Sequence, residues 1–303
     1  MTDLVAINGQ IFSQAAAQVP STDRVFLFGD GLVETICASG SHLLDLSAHL
    51  ERLRRAAQLH HISLPWPDSL LQFEMENLLS LTRYQRSSIR LIVSRGLDPQ
   101  VWPTPESSSP QRYIYCSRVR QVEAEELSQG IRLKVKKDPS GRRGEQTKCT
   151  FYLPSIVATL ESRAEGYDEI VWCNGDGEFT EAGSANIFFI AREGDLVEIA
   201  TPPLQAGILP GITRSRIIEL LTRSKIPVRE RPIPVEELAR FDEAFLSSSV
   251  RGLFPIQAID KHRLHSCRPQ AVFRQIHRLY KSWEENEGGN RSGGSAPITS
   301  SSH

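Results

Sequence analysis

The stretch GILPGITR, residues 207–214, ends on Pro210-Gly211-Ile212-Thr213 just ahead of a run with helical apolar spacing. A helix that opens there turns unpaired backbone N–H groups and the positive end of its dipole outward, which suits an incoming dianion, and Thr213 adds a hydroxyl. Arg52, within His49-Leu50-Glu51-Arg52-Leu53, offers the full charge and planar fork that match phosphate. A plain helix start and a surface salt bridge are the competing readings of these two features. No lysine precedes Thr213, so the string is not a Walker P-loop. Lys148 follows a Gly-rich basic loop, DPSGRRGEQ at 138–146, and Glu181 lies in TEAGSANIF at 180–188. A desolvated lysine near other cations has a lowered pKa and can act as nucleophile and proton carrier; a solvated surface lysine is the alternative.

These segments occur in a fixed order. Gly29-Asp30-Gly31 is followed by Glu34, then by the His49–Leu53 string, Lys148 with Tyr152 after it, TEAGSANIF, GILPGITR and SSSVRG at 247–252. In that order and spacing the chain resembles the class IV aminotransferases, a family that includes branched-chain and D-amino acid aminotransferases and aminodeoxychorismate lyase. The resemblance spans residues 5–285. It implies an α/β (α+β) two-domain fold of PLP fold type IV, with a small N-terminal domain and a larger barrel-like C-terminal one. It also implies a homodimer with active sites between the domains, and pyridoxal 5′-phosphate as cofactor. That cofactor is an electron sink which the protein must hold, protonate at its ring nitrogen and serve with a proton shuttle.

Carried over residue by residue, the resemblance makes Lys148 the cofactor-linked lysine and proton shuttle. Glu181 becomes the partner of the pyridine nitrogen and Tyr152 the donor to the phenolic oxygen, with a core tyrosine as the alternative. Gly211, Ile212, Thr213 and Arg52 would take the phosphate, with a further hydroxyl from Ser248 or Ser249. Two departures stand out. Phe151 occupies a position where many members have asparagine, and Val33 replaces the aromatic residue that often follows Gly-Asp-Gly-X. The Arg-x-His pair that binds a carboxylate in D-amino acid aminotransferases is missing after Ser94-Arg95-Gly96. Val33, Arg95 and Arg251 are the candidate substrate contacts, and Arg142 and Arg143 are further arginines for a carboxylate, with solvated charge as the alternative role.

The elements that must position these groups alternate in period. Residues 46–61 put Leu46, Leu50, Leu53 and Ala57 on one helical stripe, and a second helix runs over 68–83. Residues 88–94 and 131–136 alternate as strands. A helix is expected over 154–164, strands at 169–173, 186–190 and 197–200, and a helix over 213–225 with Ile217, Ile218, Leu220 and Leu221 inward. Phe245–Ser249 reads as a strand and Gln270–Trp283 as a closing amphipathic helix. WPTPESSSP at 102–110 breaks the pattern. The expected organisation is a small domain at 1–118, a linker at 119–125, a large cofactor domain at 126–285 and a disordered Gly/Ser-rich tail at 286–303.

The chain's 303 residues suffice for two packed domains, and a net charge of −1 gives no electrostatic case for a nucleic-acid or membrane-surface partner. No apolar run is long enough to span a bilayer, and Met1–Val5 lacks signal-peptide features. Five scattered cysteines without CxxC spacing read as reduced thiols, so the expected location is cytoplasmic. His262, His265 and Cys267 lack a nearby fourth ligand, so no metal site is assigned. His60-His61 reads as a dipole partner at a helix end. The leading function is transfer of an amino group between an amino acid and a 2-oxo acid. The alternatives are a lyase releasing pyruvate and 4-aminobenzoate from aminodeoxychorismate, and a non-catalytic binding protein.

Overall fold

A computed structural model describes residues 3–102, 109–138, 146–194 and 196–289. Arg142 and Arg143, most of the 102–110 break, and residues 290–303 of the expected tail lie outside them. The first half builds a six-stranded antiparallel sheet from β1 (Leu4–Ile7), β2 (Gln10–Ser13), β3 (Gly31–Ser39), β4 (His42–Leu43), β5 (Arg86–Ser94) and β6 (Gln111–Arg118). The strand order is β2-β1-β6-β5-β3-β4. Helices α1 (Arg24–Phe28), α2 (Leu46–Leu59) and α3 (Asp68–Thr82) accompany it. The stripe expected on α2 buries Leu50, Leu53 and Ala57 against Leu32 and Ile36 of β3, in a core shared with Met75 and Leu78 of α3.

The second half folds into a nine-stranded sheet, with a separate core. Its strands are β7 (Ile131–Lys137), β8 (Glu169–Cys173), β9 (Phe179–Ala182), β10 (Asn186–Glu193), β11 (Leu196–Thr201), β12 (Val228–Glu230), β13 (Glu243–Ser248), β14 (Gly252–Ile259) and β15 (His262–Arg263). A pairing of β9 with β10 closes β10, β13, β14, β7, β8 and β9 into a ring, the barrel-like unit that was expected. Phe188 and Phe245 stack in the core of this half with ring centroids 4.9 Å apart. Around it lie α4 (Ala124–Gln129), α5 (Leu153–Ala164), α6 (Ile212–Arg223) and α7 (Val272–Gly289). Among the described residues no helix is long and apolar enough to cross a membrane.

Three expectations change. Helix α7 runs on to Gly289, so residues 286–289 are helical rather than part of a tail. Helix α6 starts at Ile212, with Ile217, Leu220 and Leu221 buried and Ile218 only partly so. Helix α2 stops at Leu59, and His60 is its C-cap. The His60 ring reaches away from the helix, its Nε2 lying 2.6 Å from the Thr147 hydroxyl.

Candidate active site

A cavity of about 620 Å³ opens between the two sheets. Its phosphate-suited end is built at the start of α6. Gly211 is the N-cap and no side chain caps it, so the first-turn N–H groups remain available. Glycine is required there by proximity: a Cβ would lie 1.9 Å from Asn186 Oδ1. Thr213 is buried in that first turn.

Arg52 arrives from α2 on the other sheet. Its Nη1 donates to the Pro210 carbonyl at 2.7 Å, while Nε and Nη2 grip Glu34 at 2.8 and 2.7 Å. Glu34 also takes His49 Nδ1 at 2.7 Å, which leaves His49 Nε2 3.5 Å from Ser249 Oγ. Burial alone would raise the Glu34 pKa, but the hydrogen bonds from Arg52 and His49 overcome it and hold the carboxyl at about 2. An ionised Glu34 thus fixes the fork of Arg52 and accepts a hydrogen bond from His49 Nδ1.

Glu181, at the end of β9, accepts the Leu209 N–H at 2.9 Å and the Asn186 amide at 3.4 Å. Asn186 also donates to the Leu209 carbonyl at 3.0 Å, so the carboxylate and the approach to α6 share one tether. Lys148 is half-buried, and its Nζ lies 5.6 Å from the ring centroid of Tyr152, the N-cap of α5. Its carbonyl accepts the Val33 N–H at 2.9 Å, which ties the lysine to β3.

Of the residues expected from sequence, Arg52, Lys148, Tyr152 and Glu181 line this one cavity. So do Gly211, Ile212 and Thr213, with Ser248 at the end of β13 and Ser249 and Arg251 of the β13–β14 turn. Arg251 stands over the Phe254 ring at 3.8 Å and 3.9 Å from Glu169, whose carboxyl is pushed up by burial. Two expected residues lie elsewhere. The Val33 side chain is fully buried and outside the lining, which Thr35 of the same strand joins instead. Arg95 also falls outside it, pairing with Asp30 at 2.8 Å and donating to the His60 and His61 carbonyls.

Sequence reasoning missed Arg90 and Asn186. Arg90 lines the cavity from β5, its guanidinium 5.6 Å from the Tyr152 ring centroid. A lone cation inside the apolar alternation of SIRLIVS was the available signal. Asn186 is the last polar residue before an apolar run, which marks a strand start as readily as a site.

A lysine amine, a tethered carboxylate and an anion cup on a single cavity form a donor set that fits pyridoxal phosphate: aldehyde, ring nitrogen and phosphate each have a partner of the right chemistry. The cavity-lining Trp172 and Ser247 also carry buried polar atoms without a hydrogen-bond partner, as a polar ligand's surroundings would. Residues 31–259 match the family model for amino-transferase class IV. The chain belongs to that family. It is therefore an enzyme of a family that uses pyridoxal phosphate for amino transfer.

The chain is 25% identical over 277 residues to a putative branched-chain-amino-acid aminotransferase of Methanocaldococcus jannaschii, covering 91% of this chain and 95% of that one. It is 28% identical over 284 residues to the D-alanine aminotransferase of Staphylococcus haemolyticus, covering 93% and 98%. The branched-chain aminotransferase of Thermoproteus uzoniensis, solved with norvaline, superposes with a TM-score of 0.82 at 27% identity, over 96% of each chain. Only the D-alanine aminotransferase among these names states the hand of its substrate, so the family membership does not fix handedness.

Proposed function

We propose that this class IV enzyme moves an amino group between an amino acid and a 2-oxo acid, with Lys148 as the cofactor-linked lysine. The observation that carries this reading is the convergence of Lys148, Glu181, Arg52 and the α6 start on one cavity. Pyridoxal phosphate supplies the electron sink for charge that develops at the substrate Cα. The Lys148 amine would move the proton between that Cα and the cofactor's C4′. Glu181 holds a proton on the ring nitrogen, and its bonds from Leu209 and Asn186 keep the carboxylate oriented for that task. The α6 N–H groups, Thr213, Ser248 or Ser249, and Arg52 hold the phosphate; Tyr152 serves the phenolic oxygen. Arg90 and Arg251 each lie over an aromatic ring, which leaves N–H edges available for a substrate carboxylate.

The two separate cores favour a small domain at 1–118 and a large one at 126–285, with the active site between them. Homodimerisation is favoured by an exposed apolar face beside the cavity, formed by Phe151, Leu153, Ile156, Val157 and Leu160. Five free thiols suit a cytoplasmic location.

The test is an activity panel with cofactor-loaded enzyme: amino donors of both hands with 2-oxoglutarate or pyruvate, beside aminodeoxychorismate alone. Amino transfer to a 2-oxo acid supports the reading. Pyruvate release from aminodeoxychorismate with no transfer in any pairing replaces it with the lyase.

A further inference from the structure

The segment that carries Lys148 is short of anchors of its own. Phe151, which follows it, is 62% exposed and has no polar side-chain atom. Helix α5 begins at Leu153 without a side-chain hydrogen bond at its N-cap. What fixes the lysine is the other sheet. The Val33 N–H donates to the Lys148 carbonyl at 2.9 Å, and the Thr150 N–H donates to the Gly31 carbonyl at 3.1 Å, around a single bridge between Leu32 and Cys149. Thr150 Oγ1 adds a side-chain bond of 2.7 Å to the Gly29 carbonyl. That carbonyl is presented by Gly29 in the left-handed conformation, φ 66°, as it ends α1. The receiving loop is itself pinned, because Asp30 takes Arg24 Nε at 2.9 Å and Arg95 Nε at 2.8 Å.

We propose that Thr150 is a positioning residue for Lys148: its hydroxyl, seated on the Gly29 carbonyl of the loop that Asp30 anchors, sets the angle at which the lysine amine meets the cofactor. Arg24 and Arg95 act through Asp30 on the same contact. Glu181 and the α6 start are built on the nine-stranded sheet, whereas Lys148 is stitched to the six-stranded one. The geometry of proton transfer therefore depends on this stitch. An off-line amine costs rate before it costs substrate binding, because proton transfer is steeply sensitive to alignment while a saturated site is not.

The proposal rests on Lys148 as the cofactor lysine, and borohydride reduction with peptide mapping checks that separately: a pyridoxyl label elsewhere removes the premise. With the label at Lys148, the decisive comparison is Thr150→Val, which keeps the shape and deletes the hydroxyl, against Thr150→Ser, which keeps the hydroxyl. In the holoenzyme, Thr150→Val is expected to lower kcat about tenfold with KM within about twofold, the loss of one net hydrogen bond's alignment. It should also displace the pH midpoint of the bound cofactor's visible absorption, which reads the proton on the lysine nitrogen. Thr150→Ser is expected to restore both to within about twofold, and Asp30→Asn to shift the midpoint in the same direction as Thr150→Val. An unchanged midpoint and kcat in Thr150→Val, or a serine variant as impaired as the valine one, overturns the proposal. Hydrogen exchange in the wild-type holoenzyme covers the case of a valine variant that does not fold: Val33 and Thr150 amides exchanging at unstructured rates overturn it equally.

Discussion

Replacing Glu34 by glutamine removes one charge from a side chain that touches Arg52 and His49 together. The carboxylate is 1% exposed and receives both nitrogens of the Arg52 fork and His49 Nδ1. Its pKa is held at about 2 against an ordinary 4.5, which corresponds to about 3 kcal/mol of folding stability at neutral pH. Because the folded value is the lower one, this stability is present in full above 4.5 and is lost as pH falls towards 2. A buried pair broken on one side costs a similar amount, about 3–5 kcal/mol, since Arg52 keeps its charge and loses its counter-ion. Glu34→Gln is therefore expected to unfold in urea with about 3 kcal/mol less stability than wild type at pH about 7. The gap should shrink to under half by about pH 3, where the wild-type advantage has mostly titrated away. Cofactor affinity should fall with it, because the fork of Arg52 is no longer aimed. A variant within about 0.5 kcal/mol of wild type at neutral pH, or a gap independent of pH, would refute the claim that this ion pair aims Arg52.

Lys148→Ala is expected to abolish turnover with the fold intact, and a borohydride label mapping to any other lysine refutes the assignment. Glu181→Gln should retain cofactor yet lose about 10²–10³ in single-turnover rate, the usual cost of one preorganised electrostatic contact; a change under about twofold refutes it. Arg52→Ala and Thr213→Ala should weaken cofactor retention more than saturated rate, and unchanged titration of both apo variants would locate the phosphate site elsewhere. Gly211→Ala has an acceptable backbone, φ −69° and ψ 130°, but its methyl strikes Asn186 Oδ1, so cofactor affinity should drop. Asn186→Ala should then cost less in that background than in wild type, and strictly additive losses would exclude the clash as the cause.

What could be read from the sequence were groups whose neighbours are local. The α2 stripe, the β5 alternation and the start of α6 each depend on residues within a few positions, and each forms close to where the pattern places it. No strand was expected where β14 forms; Pro255, a residue disfavoured in a central strand, is tolerated there because the pairing with β7 begins only at Ile256. Contacts between the two sheets were illegible for a different reason. Nothing in the spacing of Glu34, Arg52 and Pro210 says that a carboxylate on β3 will aim an arginine on α2 at a carbonyl ahead of α6, since that meeting exists only once both sheets have formed. Thr150 and Gly29 are 121 positions apart, and a threonine near a lysine is an ordinary residue until the glycine carbonyl arrives. Val33 and Arg95 are the converse case, expected at the cavity and found outside its lining. Their place in the motif order suggested substrate contact, yet Val33 is fully buried and outside the cavity lining, while Thr35, on the same face of β3, joins it. Arg95 is drawn off by Asp30, the acid of the Gly-Asp-Gly loop. Motif order thus pointed to the helix start, lysine and carboxylate that meet on one cavity, groups with chemistry of their own. Which residues of a strand reach the cavity, and which charges neutralise one another, are properties of the folded pair of sheets.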